Sequence, residues 1–405
     1  MHQLNINRQD GGIPKTLPGE DHISGLIAYL NGGQCSREAY NLFGKPQLLT
    51  SLETAEKLGI TPYTDGGQHT EGYFLHYHLS EIFRTNPACR LYLLLVENPD
   101  EFENYDPVEI FQLQQYADGS IRQMGIWVPH FSIADDFSGY NIAENINSQA
   151  ELCDTDLHAP LSVILAASCD DITALPLSDI HKKDLKRLSI LFGESADTDV
   201  QALKTATQLK SPDFGITCIG TTLGMLSRAK VHQSISWVKE FPTDIYVPAF
   251  TDGTLYREQD TDMIAGISQD GAIFLRTYPG QAGSYFNDSR TMGDPAGDYN
   301  TIEAVRTMDK AVRSIRTYLT PELGGNIYID AETGKMQSYS VSHLETTANH
   351  ALEDMERAGE LSGYKVEIDP EQDVLSTSTV EIVIKQVPVG VMRKINVKIG
   401  FTKKV

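Results

Sequence analysis

Six apolar side chains, Ile302, Val305, Met308, Val312, Ile315 and Leu319, recur at steps of 3, 3, 4, 3 and 4. Only a helix with one buried face satisfies that spacing. Asn300-Thr301-Ile302-Glu303 resembles a capping box at its start, and Pro321 with Gly324-Gly325 marks its end. A second one-faced helix follows, carrying Val341, Leu344, Ala348, Ala351, Met355 and Ala358 and stopping at Gly359 and Gly363. Strands are then expected over Ser378–Val387 and Lys394–Thr402. In the latter Ile395, Val397, Ile399 and Phe401 alternate with Asn396, Lys398 and Gly400, the pattern of a strand with one buried face. The last hundred residues thus predict an α+β domain.

Upstream, strand and helix signals alternate. Strands are expected at His22–Tyr29, Arg90–Val96, Leu161–Ala167 and Phe214–Ile219, with helices at Ser51–Leu58, Gly72–Arg84, Ile142–Leu152 and Ser178–Leu191. Ile110–Tyr116 and Ile121–Val128, joined by Asp118-Gly119, read as a hairpin. This alternation predicts an α/β unit with helices over a sheet, with no strand order assigned. Residues 244–300, rich in Gly, Asp and Tyr, read as a seam, with strands at Ile245–Phe250 and Ala272–Tyr278. Residues 1–22 are polar and broken by Gly11-Gly12, Pro14 and Pro18-Gly19. They read as an extended arm with a short alternation at Leu4 and Ile6. The expected plan is a multi-domain α/β (α+β) chain: arm 1–22, acidic α/β unit 23–243, α+β domain 244–392 and terminal strand 393–405.

A chain of 405 residues exceeds one compact core. No run approaches the ~20 apolar residues of a membrane span, and no export signal is expected. Five scattered cysteines (Cys35, Cys89, Cys153, Cys169 and Cys218) without a C-x-x-C pair are expected to be free, mostly buried thiols. A net charge of −22 argues against nucleic acid as a partner. Residues 95–200 hold twenty acidic and five basic side chains, whereas residues 385–405 hold six basic ones and no acid. An acidic body and a basic tail suit association between copies.

No residue set carries a reaction. His76-x-His78 would chelate a metal on a strand, but its surroundings are helical, which turns the two rings to opposite sides; His69 adds no third ligand. The pairs Asp154/Asp156, Asp197/Asp199 and Asp260/Asp262 do not continue as calcium loops. Gly220-Thr-Thr-Leu-Gly224 lacks nucleotide-loop spacing and reads as a tight strand-to-helix turn. No catalytic, cofactor or metal residues are assigned.

The capped helix running through Arg306, the phrase MERAGELSGYKVEID and the pair VEIVIKQVPVGVMRKINVKIGF resemble the C-terminal domain of contractile tail sheath proteins. These occur in tailed bacteriophages, phage-tail-like bacteriocins and related injection systems. The opening LNINRQDGGIPKTLPGEDHISGLI matches more loosely, and the acidic middle departs from the better-known sheaths. The resemblance implies a structural subunit, assembled in the host cytoplasm, whose six-membered rings stack into a sleeve around an inner tail tube and meet baseplate and terminator proteins. It also implies inter-subunit strand addition, for which Leu4, Ile6, Ile395, Val397, Ile399 and Phe401 are the expected donors. Arg306, Lys310 and Arg313 line one stripe of the first C-terminal helix and are the expected tube-facing residues. The competing expectations are another virion or baseplate structural protein, or a hydrolase of a mobile-element operon.

Overall fold

A computed structural model describes residues 20–65, 68–133, 141–175, 181–205 and 215–402. The expected donors Leu4 and Ile6 lie outside them. The architecture rests on five parallel strands, β1 (Ile23–Leu30), β3 (Arg90–Glu97), β4 (Gln123–Ile133), β5 (Ser162–Cys169) and β6 (Leu188–Leu191). A short antiparallel strand, β2 (Gln47–Leu49), closes one edge. The sheet order is β2-β3-β1-β4-β5-β6, a doubly wound order in which β1 separates strands added in opposite directions. Both faces are covered, so the strands are continuous apolar runs. Leu26, Ala28 and Leu30 of β1 join Leu91, Leu93 and Leu95 of β3 in one core, while Ile23, Ile27 and Tyr29 join Tyr92 and Leu94 in the other.

Helix α1 (Glu71–Thr85) and helix α4 (Ile219–Arg228) cover the first face through Phe74, Leu75, Leu79, Ile82, Ile219 and Leu223. Helices α2 (Glu109–Tyr116) and α3 (Ile142–Thr155) cover the second through Ile110, Leu113, Ile142 and Ile146. Gly220 and Gly224 lie inside α4 and not in a turn. A Cβ at Gly220 would sit 2.5 Å from the His78 carbonyl oxygen, and one at Gly224 2.9 Å from that of Ile82. The two glycines therefore let α4 lie directly on the α1 backbone.

Three further expectations change. Residues 109–116 form α2 and not the first strand of a hairpin; β4 pairs in parallel with β1, because a central strand buries more apolar surface than a local ribbon would. Of the expected helix Ser178–Leu191, residues 181–187 are largely turns and Leu188–Leu191 is the sheet strand β6, aligned on Val163–Ala166. The expected strand ahead of α4 is irregular over residues 215–218, with Thr217 at positive φ.

A two-stranded ribbon, β7 (Gly193–Ser195) with β8 (Pro248–Phe250), continues from β6. Phe250, Phe274 and Met292 belong to one sheet core, and Ile273, Leu275 and Phe286 to the other. The break in packing therefore falls near residue 300, not at 244. Beyond it, α5 (Ile302–Leu319) packs on α6 (Ser338–Arg357), and β9 (Leu361–Glu367) pairs antiparallel with β10 (Val383–Pro388). A small core of Ala311, Ala348, Leu352, Met355, Leu361 and Val366 holds this unit. Ile302, at the start of α5, is buried with the sheet domain instead, so one apolar stripe runs from the first core into the second. Gly359, at φ 74°, provides the left-handed stop after α6.

Candidate assembly site

Residues 389–402 follow β10 without regular structure. Lys394–Thr402, expected as a strand, is not in regular structure. The alternation survives as exposure: Ile395, Val397, Ile399 and Phe401 are all exposed, Ile399 at 95%. The β9–β10 pair that precedes it in the chain is a two-stranded sheet, and among the described residues the outer edge of each strand has no strand partner. Val383 and Val387 are exposed on β10. A short stretch of alternating apolar residues and a sheet edge unfilled among the described residues therefore lie on the same unit. Main-chain hydrogen bonding is the chemistry that such an edge offers.

The root of this segment is tied down. The guanidinium of Arg393 donates from Nε to the Asp288 carboxylate at 2.9 and 3.2 Å and from a terminal nitrogen to Glu303 Oε1. Glu303 sits in the first turn of α5 and also accepts from the Ser289 hydroxyl at 2.6 Å. It does not close a capping box, since Thr301 makes no side-chain cap. Burial pushes its carboxyl up, and Arg393 opposes that shift.

Arg306, Lys310 and Arg313 do not form an exposed stripe. They face the seam between the sheet domain and the C-terminal unit. Arg306 is buried and donates to the main-chain oxygens of Asp21 and Ala229. Lys310 Nζ lies 2.7 Å from both Asp21 Oδ2 and Glu360 Oε1, and Arg313 approaches Asp21 at 3.8 Å. Burial acts to raise the Asp21 carboxyl; Lys310, aided by Arg306 and Arg313, overrides it and holds the group below its usual range. Next to this cluster, Arg187 reaches from the turn before β6 to Asp309 at 3.1 Å and to Asp154 at 2.5 Å. Arg122 pairs with Glu20. The stripe expected to meet a tube is thus turned inward, because a helix docked on two domains at once has little free surface.

The residues considered for chemistry are dispersed into structural roles. On α1, His76 pairs with Glu56 at 3.0 Å, whereas His78 packs edge-on against Trp127 in the core, where burial pushes its pKa down to about 3. His69 packs at a tilt against the Tyr73 ring. Asp154 serves Arg187, Asp197 accepts from the Tyr246 and Val247 amides, and Asp260 caps the helix Thr261–Gln269. All five cysteines are free and buried.

A site missed in the sequence is Glu71, fully buried at the carboxyl end of β1. It accepts from the Asn31 amide at 2.7 Å, from Asn31 Nδ2 at 2.8 Å and pairs with His130 at 2.7 Å. Doubly wound sheets bind ligands in the crevice at this end of their strands; here the Glu71–Asn31–His130 cluster sits at it. Its members are 40 and 59 residues apart, which no local motif reveals.

The fold has close counterparts of nearly identical extent. A chain of the anti-feeding prophage (AFP) baseplate matches with a TM-score of 0.62 and 13% identity, covering 100% of this chain and 99% of that one. A chain of the sheath complex of an extracellular contractile injection system (PVC), in its contracted state, matches at 0.58 and 11%, with 99% of each chain covered. The sheath tail protein of Desulfitobacterium hafniense matches at 0.50 and 10%, covering 96% and 100%. No curated protein sequence matches. Two family models divide the chain where its packing divides, the DUF2586 N-terminal domain over residues 1–290 and the DUF2586 C-terminal domain over 298–405. The chain belongs to the DUF2586 family and has the fold shared by these sheath and baseplate chains.

Proposed function

We propose that this chain is a structural subunit of a contractile tail sheath, polymerising as stacked six-membered rings around an inner tube and shortening to drive that tube through a target envelope. The carrying observation is the fold likeness over essentially the whole chain, domain for domain, to a sheath complex and a sheath tail protein. The bare alternating segment Ile395–Phe401 supports it at residue level: four apolar side chains stand in water on the chain that follows a two-stranded sheet. In the polymer this segment adds a strand to one edge of the sheet of a neighbouring copy, which removes its apolar face from water and satisfies that edge. The acidic region 95–200 projects away from the axis. Inner tube, baseplate and terminator proteins are the partners, and the particle forms in the host cytoplasm. No catalysis is needed, since contraction draws on energy stored in subunit contacts.

Electron microscopy of the expressed protein tests this reading. Tubes or stacked rings are expected from the full chain, and a folded, non-polymerising species from a chain ending at residue 393. Closed rings that never stack would favour a baseplate subunit instead. A small oligomer unaffected by the truncation would overturn the proposal.

A further inference from the structure

We propose that Arg393 is the positioning residue of the C-terminal donor segment: its ion pairs to Asp288 and Glu303 fix the point and direction from which residues 394–402 leave the subunit. This inference rests on the sheath reading and adds to it the residue that aims the arm.

Four observations carry it. Arg393 stands at the boundary between two kinds of chain, five residues after the last paired residue of β10 and two before the first bare apolar residue, Ile395. Its guanidinium is held from two sides, by Asp288 on the sheet domain and by Glu303 on α5. Both acceptors are themselves fixed: Glu303 receives the Ser289 hydroxyl, and Asp288 accepts from Arg290 Nε at 3.0 Å and from the Ser289 amide at 2.9 Å. A planar guanidinium bound by two fixed carboxylates has its orientation set as well as its place. Finally, residues 389–392 are not in regular structure, and Met392 is exposed. The hydrophobic core therefore does not aim the segment; the clamp does.

The energetic logic concerns entropy. A strand that adds to a neighbour must first be confined, and every residue confined beforehand reduces the ordering cost of association. Anchoring at residue 393 leaves only the stretch from Lys394 onward to order, in place of the whole stretch after Pro388. The segment behaves as a tethered ligand whose effective concentration at the neighbouring sheet depends on where its root is held.

Removing Arg393 alone would strand the buried Glu303 carboxylate, so the test uses two backgrounds. Arg393→Ala is made in the natural chain and in Glu303→Gln, which keeps an acceptor for Ser289 without the charge. In both, we expect the concentration at which tubes first form to rise about tenfold or more, equivalent to about 1.4 kcal/mol per subunit contact. Arg393→Lys, which supplies one point charge in place of a fork, should recover only part of it. A second readout needs no polymer. Spin labels are placed on Lys394→Cys and Glu258→Cys, and the protein is kept below the assembly threshold. The distance distribution should be narrow while Arg393 is intact and broad once Arg393→Ala is added. The five native cysteines, being buried, leave the labels selective. Unchanged assembly together with an unchanged distribution would overturn the role of Arg393. Failure of the natural chain to polymerise would instead overturn the sheath reading, while the distance readout still decides the clamp.

Discussion

His78 illustrates how a residue with catalytic potential becomes part of a core. It sits on the α1 face that meets Trp127, with no exposed surface, and burial keeps its ring neutral by depressing its pKa from 6.5 to about 3. As pH falls, the unfolded chain takes up a proton through 6.5, whereas the folded chain does not until near 3. Stability due to this residue is therefore complete above pH 6.5 and falls across the window between the two values. The full slope is about 1.4 kcal/mol per pH unit, or about 2 kcal/mol lost by pH 5. Urea unfolding at pH 7 and pH 5 should show that difference in the natural chain and a smaller one in His78→Leu. Equal pH slopes in the two chains would mean that His78 is hydrated in the folded state. The sequence exposes half of this: helical spacing separates His76 from His78, but the contact of His78 with Trp127 depends on a strand about fifty residues further along the chain.

At the scale of elements, periodicity was readable wherever one element has one buried face. Helices α5 and α6 and strands β1 and β3 lie within a residue or two of where their apolar spacing puts them. Patterns shared by two structures were not separable. Asp118 and Gly119 both take positive φ, as in a tight hairpin turn, yet here they end α2, and β4 pairs with β1, about a hundred residues upstream. The charged stripe of α5 misleads for the same reason. Arg306, Lys310 and Arg313 look solvated because their partners lie far off in sequence, Asp21 by 289 residues from Lys310 and Glu360 by 50. The seam they form should be costly to break. Asp309→Ala leaves Arg187 with Asp154 as its one carboxylate, beside the Leu161 carbonyl, in a largely buried site, and we expect a loss of about 3 kcal/mol, measured by thermal or denaturant unfolding of the unassembled chain. A change below about 0.5 kcal/mol, the level of an exposed pair, would show that water replaces the carboxylate.

The whole molecule is two domains held by one helix, and its insertion tolerance should follow that plan. A short epitope tag after Asp100, in the exposed loop that follows β3, should leave assembly intact and be bound by antibody on formed tubes. The same tag at Asp197 should abolish folding, since that carboxylate secures the amides of Tyr246 and Val247. Assembled tubes that hide the tag at residue 100 would count against an outward acidic region. The helix itself has a mechanical meaning. Asp21, the second of the described residues, is held by Lys310, and Arg393 is held by Glu303; both holders are on α5, roughly two turns or about 10 Å apart. A pull entering at one end of the polypeptide can leave at the other along that short rod. Both anchors also reach the sheet domain, Asp21 through the chain that enters β1 two residues later and Arg393 through Asp288, so a load applied between them would be shared between the helix and the sheet, with α5 as the shorter of the two paths.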